Sequence, residues 1–398
     1  MTTHSTHRKM NARIFIAMML GMFIALVLIR LFALSMNASG DSFLGRVMEA
    51  REHLPTIAKD EEDLVMVFGS SMVDAGFNAN QFDAEVAELG IDNIKSYNFG
   101  FGGLNPYFQD YLSRRIGEAL SAENKKLKLA IIEFNPFQTT KARWQGALPV
   151  VDSFTTMLAS PAELWEITKE DPTRGILMAE IYYLRDNVSA QMATSFFGRA
   201  LRPPRERSDA PEDEEAQKRR DEIGPKLTAA FEEKYPDRED CDWCLDWQGG
   251  GPMKSERKPE TVELFREYYE TLRTQRRMEN DRLQRISCCD IEGLHFEEEL
   301  IQAFIRLVKN FKGFSEQVEV ILLPRNTKWH QYSPEAQARL DEVIARIEVE
   351  TGVAIKNYQE EPRFTPDTFS DTTHFSRYNG EVIFTSFLVE KFADQLTK

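Results

Sequence analysis

Apolar positions in this chain gather into runs of two kinds. The longest covers residues 14–29, where every position is apolar or glycine, and after Arg30 it resumes as Leu31, Phe32, Ala33, Leu34, Ser35 and Met36. At about 1.5 Å per residue, a helix over residues 14–36 extends roughly 34 Å, enough to cross a hydrocarbon core. It has no polar face, which argues against an ordinary core helix. Later runs are short. Residues 64–68 form a continuous apolar stretch ending at Gly69, as expected of a strand buried on both faces. Asn80 then opens a helix with Phe82, Val86 and Leu89 on one side and Gly90 as its stop. A strand over 95–98, a glycine-rich turn, a helix over 107–120 and a strand over 127–132 follow. Much later come an amphipathic helix over 296–311 and a strand over 318–323 closed by Pro324. Ser333 and Pro334 open a helix with Ala336, Leu340, Val343, Ile344 and Ile347 at helical spacing, stopped by Gly352. A strand over 353–358 and a helix carrying Val382, Ile383, Phe384, Leu388 and Phe392 close the chain.

Strands alternating with helices predict right-handed crossovers and a parallel sheet covered on both faces. The gap between residues 132 and 296 is too long for one crossover. It holds helical stretches, including Ser160 and Glu163 at capping-box spacing and a long helix over 260–286. Residues 202–221, rich in Pro, Glu, Asp and Arg, read as a solvated or disordered charged loop. The expected organisation is a tail (1–13), a transmembrane anchor (14–36), a linker (37–63), an α/β domain in two pieces (64–139 and 296–398) and a mainly helical insertion (140–295).

Composition fits a folded chain: of 398 residues, 42% are apolar and 28% charged. Lys+Arg 49 against Asp+Glu 64 gives a net charge of −15, which argues against a nucleic-acid partner. Arg8, Lys9 and Arg13 precede the apolar run and the flank beyond it is acidic, so the positive-inside bias places the N-terminus in the cytoplasm and the rest outside. A cleaved signal peptide is the alternative, but its apolar core is usually about 7 to 15 residues long. Of the four cysteines, Cys241 and Cys244 form a C-x-x-C and Cys288 and Cys289 are adjacent. Outside the cytoplasm two disulfides are favoured over zinc, for which an adjacent pair is a poor second knuckle. Trp243 and Trp247, near Gly249 to Gly251, are candidates for a carbohydrate or lipid surface or for packing.

In a parallel α/β sheet, ligands bind at the carboxyl ends of the strands. The first strand is followed by Gly69, Ser70, Ser71 and Met72, the second by a turn over Asn98, Phe99, Gly100, Phe101, Gly102 and Gly103, and the third ends in Glu133, Phe134, Asn135 and Pro136. Late in the chain stand Asp371, Thr372, Thr373 and His374. Each motif alone reads as a turn or loop pair, but four in this order, each at a predicted strand end, point to chemistry.

This order resembles the SGNH (GDSL-type) hydrolase superfamily, in residues 64–135 and 296–395. The resemblance implies a flavodoxin-like three-layer α/β/α fold. It also implies Ser71 as nucleophile, His374 as base, Asp371 as its partner, and Gly103 and Asn135 as oxyanion donors. Ser70 stands where the common form has Asp, a variant also seen in envelope acyl-transfer members, and Glu133 where the third block usually has Gly. The chemistry is consistent: a serine hydroxyl needs an adjacent base, and an acid that orients the imidazole. Backbone N–H groups at Ser71 and Gly103 and the Asn135 amide would meet the oxyanion, at about 3 to 4 kcal/mol of barrier each. His330 is the rival base and reads as a rim residue.

The function implied is an anchored envelope esterase or O-acyltransferase of acetyl type, acting on carbohydrate through an acyl-serine. The alternatives are a lipase-type lipid ester hydrolase and a non-catalytic envelope scaffold. The expected partners are an acyl-ester substrate, polysaccharide or lipid, and a membrane-embedded acyl-donor protein; no cofactor is expected.

Overall fold

A computed structural model describes residues 3–34, 43–184, 214–234, 259–376 and 379–397. Five parallel strands, β1 (Asp63–Ser70), β2 (Ile94–Phe101), β3 (Leu127–Glu133), β4 (Ser315–Leu322) and β5 (Ile355–Asn357), form one sheet in the order β2-β1-β3-β4-β5. That is the flavodoxin-like doubly wound order. The strand order reverses beside β1, so the crevice between the carboxyl ends of β1 and β3 is the expected ligand position.

The apolar runs divide between two faces. Along β1, Leu64, Met66 and Phe68 enter one core while Val65 and Val67 enter the other. The second face is covered by helices Ala79–Glu88 and Gly380–Leu396, the first by helices Phe43–Ile57, Pro106–Ala122, Lys141–Leu158, Glu298–Phe314 and Pro334–Thr351. The chain is thus α/β with helices on both sides of a parallel sheet.

Several boundaries differ from the sequence pattern. Part of the expected linker over 37–63 is the helix Phe43–Ile57, which buries Val47, Ala50, Leu54 and Ile57 at helical spacing against the sheet. Strand β2 runs on through Phe101, so most of the expected turn after Asn98 is still strand. The expected helix over 260–286 is two, Pro259–Leu272 and Gln275–Cys289, because Thr274 caps the second by accepting from the Arg277 N–H at 3.4 Å. Residues 214–221 of the expected charged loop begin a helix, Glu214–Lys234, whose Ile223 and Leu227 pack on Phe265 and Tyr269; residues 202–213 lie outside the described residues. The insertion's early part is not separate from the sheet: Val151, Phe154, Met157, Leu164 and Ile181 belong to the first core.

At the N-terminus a helix covers Thr3–Leu34, and its described apolar side chains are exposed, Phe15 at 64% and Met18 at 68%. Among the described residues no helix is long and apolar enough to cross a membrane. The span expected over 14–36 reaches beyond Leu34, outside the described residues.

Candidate active site

Strand β1 ends at Ser70, and the next residue, Ser71, opens a six-residue helix, Ser71–Gly76. Ser70 is the cap: its hydroxyl accepts from the Met72 N–H at 3.2 Å. A helix this short has no stability of its own, so neighbours must place it. Asn98, buried on β2, does so by donating its amide to the carbonyls of Val73 (3.2 Å), Asp74 (3.2 Å) and Phe77 (2.8 Å). Beside it, the Asp74 backbone passes so close to Gly100 that a Cβ there would lie 2.1 Å from the Asp74 nitrogen.

The late turn closes onto this helix. Asp371 Oδ1 accepts from the backbone N–H groups of Thr373 and His374, each at 2.7 Å, so the carboxylate shapes the turn that carries its partner. His374 Nδ1 lies 2.6 Å from Asp371 Oδ2, and Nε2 lies 2.7 Å from Ser71 Oγ. With Nδ1–H donating to the carboxylate, Nε2 is left as the acceptor for the serine proton. Burial alone would raise the Asp371 carboxyl; the His374 charge and hydrogen bond, with the Arg285 guanidinium, outweigh it and hold it well below the usual carboxylate range. Ser71, His374 and Asp371, 303 residues apart at the extremes, are therefore in contact.

Gly103 has φ of +71°, the left-handed conformation that favours glycine, and its carbonyl accepts from the Arg143 guanidinium, whose Nε donates to Gln138 Oε1 at 2.8 Å. Asn135 is placed differently from the sequence expectation. Its amide nitrogen donates to Glu133 Oε1 at 2.7 Å and to Ser70 Oγ at 3.1 Å, so both N–H groups face Ser70 and Glu133 instead of Ser71. The cause is Glu133, in the position where the family pattern has glycine. Its carboxylate, 4% exposed, also takes the Ser70 N–H at 2.6 Å and hydroxyl at 3.0 Å. Burial pushes the Glu133 carboxyl up, against those hydrogen bonds and the His374 charge.

His330 is not at a rim. It is 1% exposed, neither ring nitrogen has a hydrogen-bond partner, and burial pushes it down to about 4, with the Arg285 charge adding to the effect. With Met72, Asn135, Asn326, Thr372 and Thr373 it lines a cavity of about 30 Å³ beneath the late turn.

The sequence pattern gave no role to Asn98, at the start of the glycine-rich turn, nor to Arg285 and Asp281, within the helix expected over 260–286. Arg285 Nη2 lies 3.3 Å from Asp371 Oδ2 and 3.4 Å from His374 Nδ1. One turn on, Cys288 and Cys289 carry free thiols where the sequence pattern favoured disulfides to Cys241 and Cys244; the hydrogen bond from Cys289 lowers Cys288 to about 6, with the Arg143 and Arg285 charges adding to it. Cys241, Cys244, Trp243 and Trp247 lie outside the described residues. Among the described residues no group of three or more His, Cys, Asp or Glu is placed to hold a metal.

No model of a protein family matches the chain, and no curated protein matches it. Among solved structures it is similar to a gut microbial diltiazem-metabolizing enzyme at 11% identity and a TM-score of 0.31, over 83% of this chain and 46% of that one. The chain thus spans about half the length of that protein.

Proposed function

We propose that this chain is a membrane-anchored serine esterase or O-acyltransferase that works through an acyl-Ser71 intermediate. The observation that carries the proposal is the continuous relay from Ser71 Oγ to His374 Nε2 (2.7 Å) and from His374 Nδ1 to Asp371 Oδ2 (2.6 Å), at the carboxyl edge of a parallel sheet.

Ser71 Oγ attacks the ester carbonyl carbon while its proton passes to His374 Nε2. Asp371 stays ionised and holds the Nδ1–H of the resulting imidazolium. The backbone N–H groups of Ser71 and Gly103 meet the oxyanion; Asn135 instead fixes Ser70 and Glu133 beneath the nucleophile. Collapse breaks the ester C–O bond, and the departing oxygen takes the proton back from His374. Water or a sugar hydroxyl then attacks the acyl-serine with His374 again as base, giving hydrolysis or transfer. SGNH membership, the acetyl group, the envelope-carbohydrate acceptor and a membrane-embedded acyl donor are carried from the family resemblance. The anchor is carried from the apolar run.

A fluorophosphonate probe tests the reading. The full chain in detergent is labelled, and Ser71→Ala and His374→Gln lose labelling. A folded wild-type chain that the probe leaves untouched overturns the serine-enzyme proposal.

A further inference from the structure

We propose that Arg285 is a positioning residue for His374 and Asp371, through which the helix Gln275–Cys289 holds the late turn in working geometry. The inference rests on the proposed function and names a device within that site.

Arg285 reaches the turn from a helix that precedes it by 86 residues. Its Nη2 stands 3.3 Å from Asp371 Oδ2 and 3.4 Å from His374 Nδ1, while its Nε donates to Asp281 Oδ2 at 2.9 Å. Asp281 is one helical turn back on the same face, so the two side chains act together. Asp281 also accepts the Thr372 backbone N–H at 3.2 Å and the Thr372 hydroxyl. Two of the four residues from Asp371 to His374 are therefore in polar contact with one helix face, and the ring of a third, His374, lies beside it. The Arg285 side chain is 17% exposed, and burial adds to the strength of such a pair.

The arrangement limits what Arg285 can do. It sits on the Nδ1 side of the ring, whereas Ser71 meets Nε2, so it takes no part in proton transfer to or from the serine. A guanidinium beside Asp371 favours the ionised carboxylate, and beside the ring it opposes a second positive charge. The groups facing His374 and its partner are Asp371 and Thr373 from the turn, Ser71 after β1, Glu133 from β3, and Arg285 with Asp281 from the helix. Cys289 and His330 add to the field around Arg285. Arg285 is the cation nearest the imidazole among these, so its removal has a defined sign. The base then protonates more readily, and activity is lost at a higher pH on the acid side.

The test follows fluorophosphonate labelling rate against pH for the full chain in detergent, wild type against Arg285→Ala, Arg285→Lys and Asp281→Asn, with circular dichroism melts for each. For Arg285→Ala the acid limb is expected to move up by about 0.5 to 1 pH unit. Its plateau rate is expected to fall about tenfold or more, since a misplacement of about 1 Å costs about 10²-fold. Arg285→Lys keeps a charge but loses the two-pronged contact, so it restores the position of the limb and only part of the rate. Wild-type rate and limb position in a folded Arg285→Ala chain overturn the proposal. Should that variant not fold, unchanged kinetics in both Arg285→Lys and Asp281→Asn overturn it instead. If the wild type itself is not labelled, the serine-enzyme reading fails. The inference is then judged by NMR titration of the His374 ring, where identical midpoints in wild type and folded Arg285→Ala count against it and a higher midpoint in Arg285→Ala supports it.

Discussion

Among single residues, His330 has the least company. A neutral imidazole with both nitrogens unpartnered, held down to about 4 by burial, must become a better base when the chain unfolds, where its value returns to about 6.5. Between those values the unfolded state binds more protons, so stability rises with pH across the window. The contribution is complete above about 6.5 and is lost as pH falls toward about 4, by at most about 3 kcal/mol. Urea unfolding at pH 7.5 and pH 5 should show this loss in the wild type and a flatter dependence in His330→Gln; equal slopes would refute it. Residues of this kind were the hardest to foresee. Ser71 stood at a strand end, and Asp371 and His374 followed the last strand, in a recognisable order. Asn135, by contrast, was turned away from its expected direction by Glu133, two positions earlier, and such competition for one amide leaves no trace in spacing.

For the elements, the decisive contact is between β2 and the six-residue helix after β1. Asn98 holds three carbonyls of that helix and its exit, so Asn98→Ala takes the side-chain donor from Asp74 and Phe77 and leaves Val73 only the Phe77 N–H, at a cost of about 2 to 4 kcal/mol. Thermal melts should show a correspondingly lower Tm, and labelling at Ser71 should slow because its helix loosens. A change in stability under about 0.5 kcal/mol would show that Asn98 does not brace the helix. Hydrophobic period located β1, β3 and helices on each face, because each buries a regular stripe. It passed over the helix Phe43–Ile57, whose stripe of Val47, Ala50, Leu54 and Ile57 is diluted by charged residues on its other side. It also ended β2 early at Asn98, since Gly100 and the polar Asn98 look like turn residues until the close approach of Asp74 explains them.

At the scale of the whole molecule, the acidic remainder of the chain and the exposed apolar N-terminal helix make opposite demands on solvent. Removing residues 1–36 is expected to release the protein from the membrane fraction into high-salt-soluble supernatant, while the full chain needs detergent; co-sedimentation of the shortened chain with vesicles would count against a single N-terminal anchor. The strands of the sheet were legible in two separate stretches of the sequence, but the packing of the segment between them was not. Contacts such as Phe154 in the sheet core and Arg285 at Asp371 join segments far apart in sequence, and no local pattern encodes them. Those contacts also decide how the chain can be cut or recombined. The segment 140–295 looks like a detachable module along the sequence, yet one of its helices holds the turn that bears His374. A hybrid that swaps this segment for a relative's must therefore carry over the Asp281–Arg285 face, or it inherits a folded sheet with an idle serine.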